Sequence, residues 1–182
     1  MGKILVHEFI SLDGVIEKPV WTFQFPFDER TGTDIGSIIG SSEALLLGRQ
    51  TYLEFAPAWS SRTPEQDPGA PFFNDSPKYV VSATMTDSIW SNTTFVGAYD
   101  AGTIRDLKEH TAKNLYVSGR GTLVRALIAD GLVDELHLFV FPIALGAGTR
   151  LFPDGTPETK LSLLSADSYT SGVVHLVYRP VA

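Results

Sequence analysis

Gly119 and Gly121 bracket Arg120 where the apolar run Leu115-Tyr116-Val117 gives way to a helical pattern starting near Thr122. Glycines let the backbone approach a phosphate closely, and a helix start offers it free amides and the positive end of the dipole. The segment Ser118-Gly119-Arg120-Gly121-Thr122 therefore suits a pyrophosphate, with Arg120 adding a charge and Thr122 a hydroxyl. A tight connection that needs glycine only for its backbone geometry has the same pattern. Val124 stands where a dinucleotide fingerprint places its third glycine, which disfavours a Rossmann dehydrogenase.

Two further strand ends carry anion-binding residue types. Leu45-Leu46-Leu47 runs into Gly48-Arg49-Gln50-Thr51, where Arg49 can act as a bidentate donor and Thr51 as a hydroxyl. The alternative is a solvated arginine on a first helical turn. Tyr79-Val80-Val81 ends in Ser82 and Thr84, whose hydroxyls suit the same phosphate or simply a turn. After the first strand, Ser11-Leu12-Asp13-Gly14 leads into a loop holding Trp21, Phe23, Phe25 and Phe27. Such rings either close over a flat substrate, with Trp21 and Phe25 as the leading contacts, or pack onto the sheet. His7, His110, His137 and His175 are dispersed at spacings that form no metal-ligand pair, and read as structural or surface residues. No serine-nucleophile elbow is present.

Composition narrows the classes. With 182 residues, 43% hydrophobic and 19% charged, the chain suits one domain over 1–182 with its own core. A net charge of −7 argues against a general phosphate-binding surface and hence against nucleic acid as a partner. The absence of cysteine excludes disulfides and thiolate metal sites. Met1 to Val6 enters a strand pattern at once, without a secretory signal, and no apolar run is long enough to cross a membrane. A cytoplasmic protein without a membrane partner is expected.

These residues need elements to hold them. Ile4–Ile10 reads as a strand buried on both faces, Thr33 or Asp34 as the cap of a helix to about Ser42, and Ala44–Leu47 as a strand leading to a helix near Arg49. Ala56 to Pro77 holds five prolines and reads as a long surface loop. Lys78–Ser82, Thr93–Val96, Leu115–Val117 and Glu135–Phe141 read as strands, with helices at Ala101–Thr111 and Thr122–Ala129. Leu161–Ala166 and Val173–Tyr178 close the chain as an antiparallel edge pair. The pattern predicts an α/β fold of three layers, with a mostly parallel sheet of about eight strands and about four helices on its two faces.

In this order, Ser-Leu-Asp-Gly, Leu-Gly-Arg-x-Thr-Tyr, Val-Val-Ser, Val-Ser-Gly-Arg-Gly-Thr-Leu and Asp134-Glu135-Leu136-His137-Leu138 resemble the dihydrofolate-reductase-like superfamily. The run Phe141-Pro142-Ile143-Ala144-Leu145-Gly146-Ala147-Gly148, then Leu151-Phe152, is most similar to the riboflavin-biosynthesis reductase branch and its stand-alone bacterial relatives. The resemblance implies a reductase that binds NADPH along the carboxyl edge of the sheet and acts on a small heterocyclic substrate. It implies that Gly119, Arg120, Gly121 and Thr122 hold the pyrophosphate, with Ser118 also among the cofactor-binding residues. Gly48, Arg49, Thr51, Ser82 and Thr84 would serve the adenosine side and its 2′-phosphate. Asp13, Gly14 and Ile16 would lie in a mobile loop near the nicotinamide, with Asp13, then Glu17, as candidates for proton delivery. A homodimer and no metal are also implied. The early-helix acid that binds the pterin in dihydrofolate reductases has no clear match among Asp28, Glu29 and Asp34.

Overall fold

The apolar runs pair into one sheet. In the computed structural model, which describes residues 2–181, the strands are β1 (Ile4–Ser11), β2 (Ser42–Gly48), β3 (Lys78–Val81), β4 (Thr93–Phe95), β5 (Asn114–Ser118), β6 (Glu135–Phe141), β7 (Lys160–Ser168) and β8 (Val174–Val181). The helices are α1 (Glu29–Gly40), α2 (Arg49–Trp59), α3 (Ala70–Asp75), α4 (Ala101–His110) and α5 (Gly121–Ala129), and a 3-10 turn spans Pro19–Gln24. The sheet order is β4-β3-β2-β5-β1-β6-β8-β7. Strands β1 to β6 run parallel, and β8 and β7 close the edge antiparallel.

Alternation along the central strands sorts the helices into two layers. Ile4, Val6 and Ile10 face a cluster with Ile104 of α4 and Leu123, Val124, Leu127 and Ile128 of α5. Leu5, Leu45 and Leu47 face the other way, onto Ile38 of α1, Tyr52 and Ala56 of α2 and Phe73 of α3. Each fully buried Leu or Ile contributes roughly 1.5–3 kcal/mol, which holds both layers on the sheet.

That sorting opens a crevice. The chain leaves β1 for α1 on one face and leaves β5 for α5 on the other, so the two adjacent strand ends part. Pairing of β1 with β5 ends at His7 opposite Ser118, whereas β1 stays paired with β6 as far as Ser11 opposite Phe141. From Glu8 onward one edge of β1 is therefore unpaired. Carboxyl-edge switch points of this kind are where open α/β sheets take ligands.

Two local expectations change. Helix α1 starts at Glu29, earlier than Thr33 or Asp34, because Asp28 caps it by accepting from the Arg30 amide at 2.9 Å. The stretch 56–77 is not wholly loop. Helix α2 continues through Pro57 to Trp59, and α3 forms with Pro71 in its first turn, where proline removes no bond. The Trp59 and Phe73 rings stack at 3.9 Å, and this packing outweighs the weak local propensity.

Candidate active site

The crevice is framed by two helix starts. Arg120 caps α5 and Gly48 caps α2, and neither supplies a side-chain acceptor to the first helical amides. Both N-termini thus keep unsatisfied donors at the carboxyl edge. Gly119 has φ +112°, and a Cβ there would lie 2.3 Å from the Thr51 hydroxyl. That oxygen in turn accepts from the Arg120 amide at 3.1 Å. Thr51 is therefore buried support for the turn rather than an open ligand.

The sequence-predicted phosphate residues divide. Arg49 is exposed at the first turn of α2 and has no ion pair among the described residues. Thr122 is exposed at the start of α5. Ser82 is buried and its hydroxyl accepts from the Met85 amide at 3.1 Å, so it closes a turn, whereas Thr84 is exposed beside it. Arg120 is engaged. It donates to Glu54 Oε1 at 3.0 and 2.6 Å and to Glu17 Oε1 at 3.0 Å, tying the β5–α5 turn to α2 and to the loop after β1. With Glu54 partly exposed, the Arg120–Glu54 pair is worth only about 0.2–1 kcal/mol, weak enough for an incoming phosphate to replace.

The loop after β1 is pinned rather than free. Asp13 accepts from the Ser11 hydroxyl at 2.6 Å and from the Leu145 and Gly146 amides at 3.0 and 2.7 Å. These bonds, led by the hydroxyl, hold its carboxyl down to about 2. Glu17 accepts from the Thr149 amide and hydroxyl at 3.0 Å each, and these bonds, with Arg120, hold it below the usual range. Backbone bonds from Ile16 to Thr149 and from Leu151 to Gly14 complete the junction. A carboxylate held ionised has no proton to deliver near neutral pH. The geometry of Asp13 and Glu17 is that of anchors.

The aromatic loop also divides. Trp21 is buried with its ring 5.5 Å from Phe141, and the half-buried Phe25 packs on the same ring at 5.5 Å. Phe23 and Phe27 are exposed. Beneath lies a group the spacing of residues did not reveal. Strand pairing gathers His7, His137 and His175 into one buried cluster, with His137 Nδ1 3.1 Å from His175 Nε2 and His7 Nδ1 2.7 Å from the Tyr116 hydroxyl. Burial, then the neighbouring imidazoles, pushes His7 down to about 3 and His175 to about 4, so both are neutral. Glu8 is a second group that motif and spacing leave unmarked. It lies almost fully buried at the first unpaired position of β1 and accepts from the Gly119 amide at 3.1 Å. A charged residue inside a strand buried on both faces was the available signal.

Two cavities of about 280 and 220 Å³ lie at the amino end of the sheet, lined by residues such as Glu43 and Tyr79 or Lys3 and Asn114. They lack the helix-start donors, so the carboxyl-edge crevice remains the stronger site.

Comparison with known proteins identifies the family. The RibD C-terminal domain family matches residues 2–175. The chain is 27% identical to the uncharacterized protein YyaP of Bacillus subtilis, over 97% of this chain and 94% of that one. A candidate riboflavin biosynthesis protein of Shewanella sp. PV-4 superposes with a TM-score of 0.80 at 23% identity, covering all of both chains. The Thermotoga maritima diaminohydroxyphosphoribosylaminopyrimidine deaminase/5-amino-6-(5-phosphoribosylamino)uracil reductase gives 0.66 at 14% identity, with 99% of this chain on 57% of that one. The sheet order, the parting of β1 from β5 and the match across nearly the whole length make this chain a member of the RibD C-terminal domain family, with its dihydrofolate-reductase-like fold.

Proposed function

We propose that the protein is an NADPH-dependent reductase that transfers hydride to a carbon–nitrogen or carbonyl double bond of a small planar heterocycle, of aminopyrimidine or pterin type. The observation that carries this reading is the pair of uncapped helix starts, α2 and α5, facing one crevice with Arg49 unpaired beside them. The residues fit a dinucleotide: a turn at Gly119 too tight for a side chain, orphan amides, and a free guanidinium with no acid in Gly48-Arg49-Gln50-Thr51. Bound there, the cofactor would supply the hydride. Gly121 and Thr122 would receive the pyrophosphate at the turn that Gly119 allows, with Arg120 exchanging a carboxylate for it, and Arg49 with Thr84 would meet the 2′-phosphate. Ser118, Gly48, Thr51 and Ser82 would shape the cradle, and Gly14 and Ile16 would close it over the ring. Phe25 and the edge of Trp21 would border the substrate.

Titration with NADPH and NADH by nucleotide fluorescence, followed by oxidation assays against a panel of pterins and aminopyrimidines, tests the reading. Tight NADPH binding with turnover of one of these heterocycles is expected, and no NADPH binding would overturn it. The engagement of Arg120, Asp13 and Glu17 in internal bonds favours one second reading, an NADP(H)-binding relative without efficient turnover. Binding without oxidation of any panel member would select it. Family membership also supports a cytoplasmic homodimer, which light scattering on the purified chain would check for assembly.

A further inference from the structure

We propose that Glu8 is the acid of this site: its carboxyl group, buried under the β5–α5 turn at the floor of the crevice, carries the proton that joins the substrate as hydride arrives. The proposal rests on the reductase reading above and deepens it, because Asp13 and Glu17 are held as anchors and leave the reaction without a donor.

Three observations converge on Glu8. It is the first residue of β1 beyond the last β5 pairing, so its edge of the strand faces the opening. It is 3% exposed and has no cationic partner among the described residues. One oxygen accepts from the Gly119 amide, which points the carboxyl at the turn where the cofactor would lie, and the other makes no hydrogen bond among the described residues. Opposed only by that amide, burial without a counter-ion pushes the carboxyl well above the ordinary range and favours its protonated form.

The step balances. Hydride adds to the carbon of the C=N or C=O bond, the Glu8 O–H bond breaks, and its proton goes to the nitrogen or oxygen. The substrate gains two electrons, NADPH is oxidised to NADP⁺, and the Glu8 carboxylate takes a proton from water before the next cycle. With NADP⁺ bound in the crevice, the positive charge of the oxidised nicotinamide would lower the cost of the Glu8 carboxylate.

That last feature can be measured without knowing the substrate. A cationic ring favours ionised Glu8 and a neutral dihydro ring does not, so NADP⁺ should tighten relative to NADPH as pH rises. Few other groups near Glu8 titrate between pH 6 and 9. Its register neighbour on β6, Leu138, is apolar, and burial keeps the Tyr116 phenol of β5 protonated. Arg120 stays cationic and Glu17 anionic at the turn, and Arg125 of α5 is held by the Arg150 and Leu151 carbonyls. On the opposite face burial holds His7 and His175 neutral throughout this range and lowers His137. The cofactors' phosphates are common to both and cancel in the ratio.

The experiment measures dissociation constants of NADP⁺ and NADPH from pH 6 to 9 for the wild type and for Glu8→Gln, whose amide oxygen can still accept from Gly119. We expect the preference to shift toward NADP⁺ by about tenfold or more in the wild type, equivalent to one unit of coupling, and to stay flat in Glu8→Gln. Infrared spectra of the cofactor-free protein at pH 7 should show a protonated-carboxyl band that the variant lacks. A flat wild-type ratio, an equal slope in Glu8→Gln, or no such band would overturn the role of Glu8 while leaving cofactor binding intact. Failure of either cofactor to bind would instead remove the reductase reading and this one with it.

Discussion

Arg49 and Asp13 show how differently two charged side chains at one sheet edge are used. Arg49 has no hydrogen-bonded or ionic partner among the described residues, so its substitution should report on ligand alone. A charge-assisted contact to phosphate is worth about 1.5–3 kcal/mol, and Arg49→Ala should weaken NADPH roughly ten- to a hundred-fold while changing NADH little. Equal small losses for both cofactors would make Arg49 a surface residue without a role in the site. Asp13 is the reverse case. Its oxygens are committed to the Leu145 and Gly146 amides, so Asp13→Asn, which keeps only one acceptor, should lower the melting temperature and loosen the 143–149 loop in hydrogen exchange. Turnover, once a substrate is found, should keep its pH profile in this variant. A displaced pH profile with unchanged stability would return Asp13 to the chemistry.

The β5–α5 turn is the element on which the cradle depends. Gly119 combines a positive φ with no room for a methyl group against Thr51, so Gly119→Ala suffers both strain and overlap. It should cost more than about 1 kcal/mol and weaken NADPH, because the turn must shift the amides at the start of α5. Gly146 has a positive φ too, yet open space around it. Gly146→Ala should therefore cost less and leave NADPH affinity alone. Urea titration and cofactor titration of the pair separate strain from overlap, and equal effects on binding would contradict the role given to the turn. The same scale explains α2 and α3. Prolines in 56–77 argue locally for loop, but the Trp59–Phe73 stack and the buried Ala56 draw both segments onto the sheet.

Across the whole molecule the clearest consequence is pH dependence. His7, His137 and His175 sit on β1, β6 and β8, and folding holds all three below their unfolded values, chiefly by burial. The folded state therefore binds fewer protons than the unfolded chain below about pH 6.5. Stability is complete above that value and falls as pH drops toward about 4, by about 1.4 kcal/mol per histidine per pH unit at most. Glu8 acts with the opposite sign, since its raised value costs stability above the unfolded pKa of a glutamate, but one group is outweighed by three. Urea midpoints at pH 7, 6 and 5 should fall steeply, and His175→Gln should flatten the fall. A midpoint independent of pH would show the cluster to be solvated.

Periodicity and punctuation along the chain by themselves determine much of this protein. The strands at Ile4 and Glu135, the helix after Gly121, the parallel sheet with its antiparallel edge, and the glycine turn at 119–121 are all legible in the sequence, because alternation, glycine and capping act over a few residues. The family is legible as well, from five short motifs in order. Tertiary structure decided the rest, because it depends on partners distant in sequence. It turned Asp13 and Glu17 from candidate acids into anchors by placing the 145–149 amides against them. It closed Arg120 onto Glu54, 66 residues away, and gathered three dispersed histidines through strand pairing. It also set Glu8 where β1 parts from β5, a position defined by two hydrogen-bonding neighbours rather than by any pattern within the strand itself.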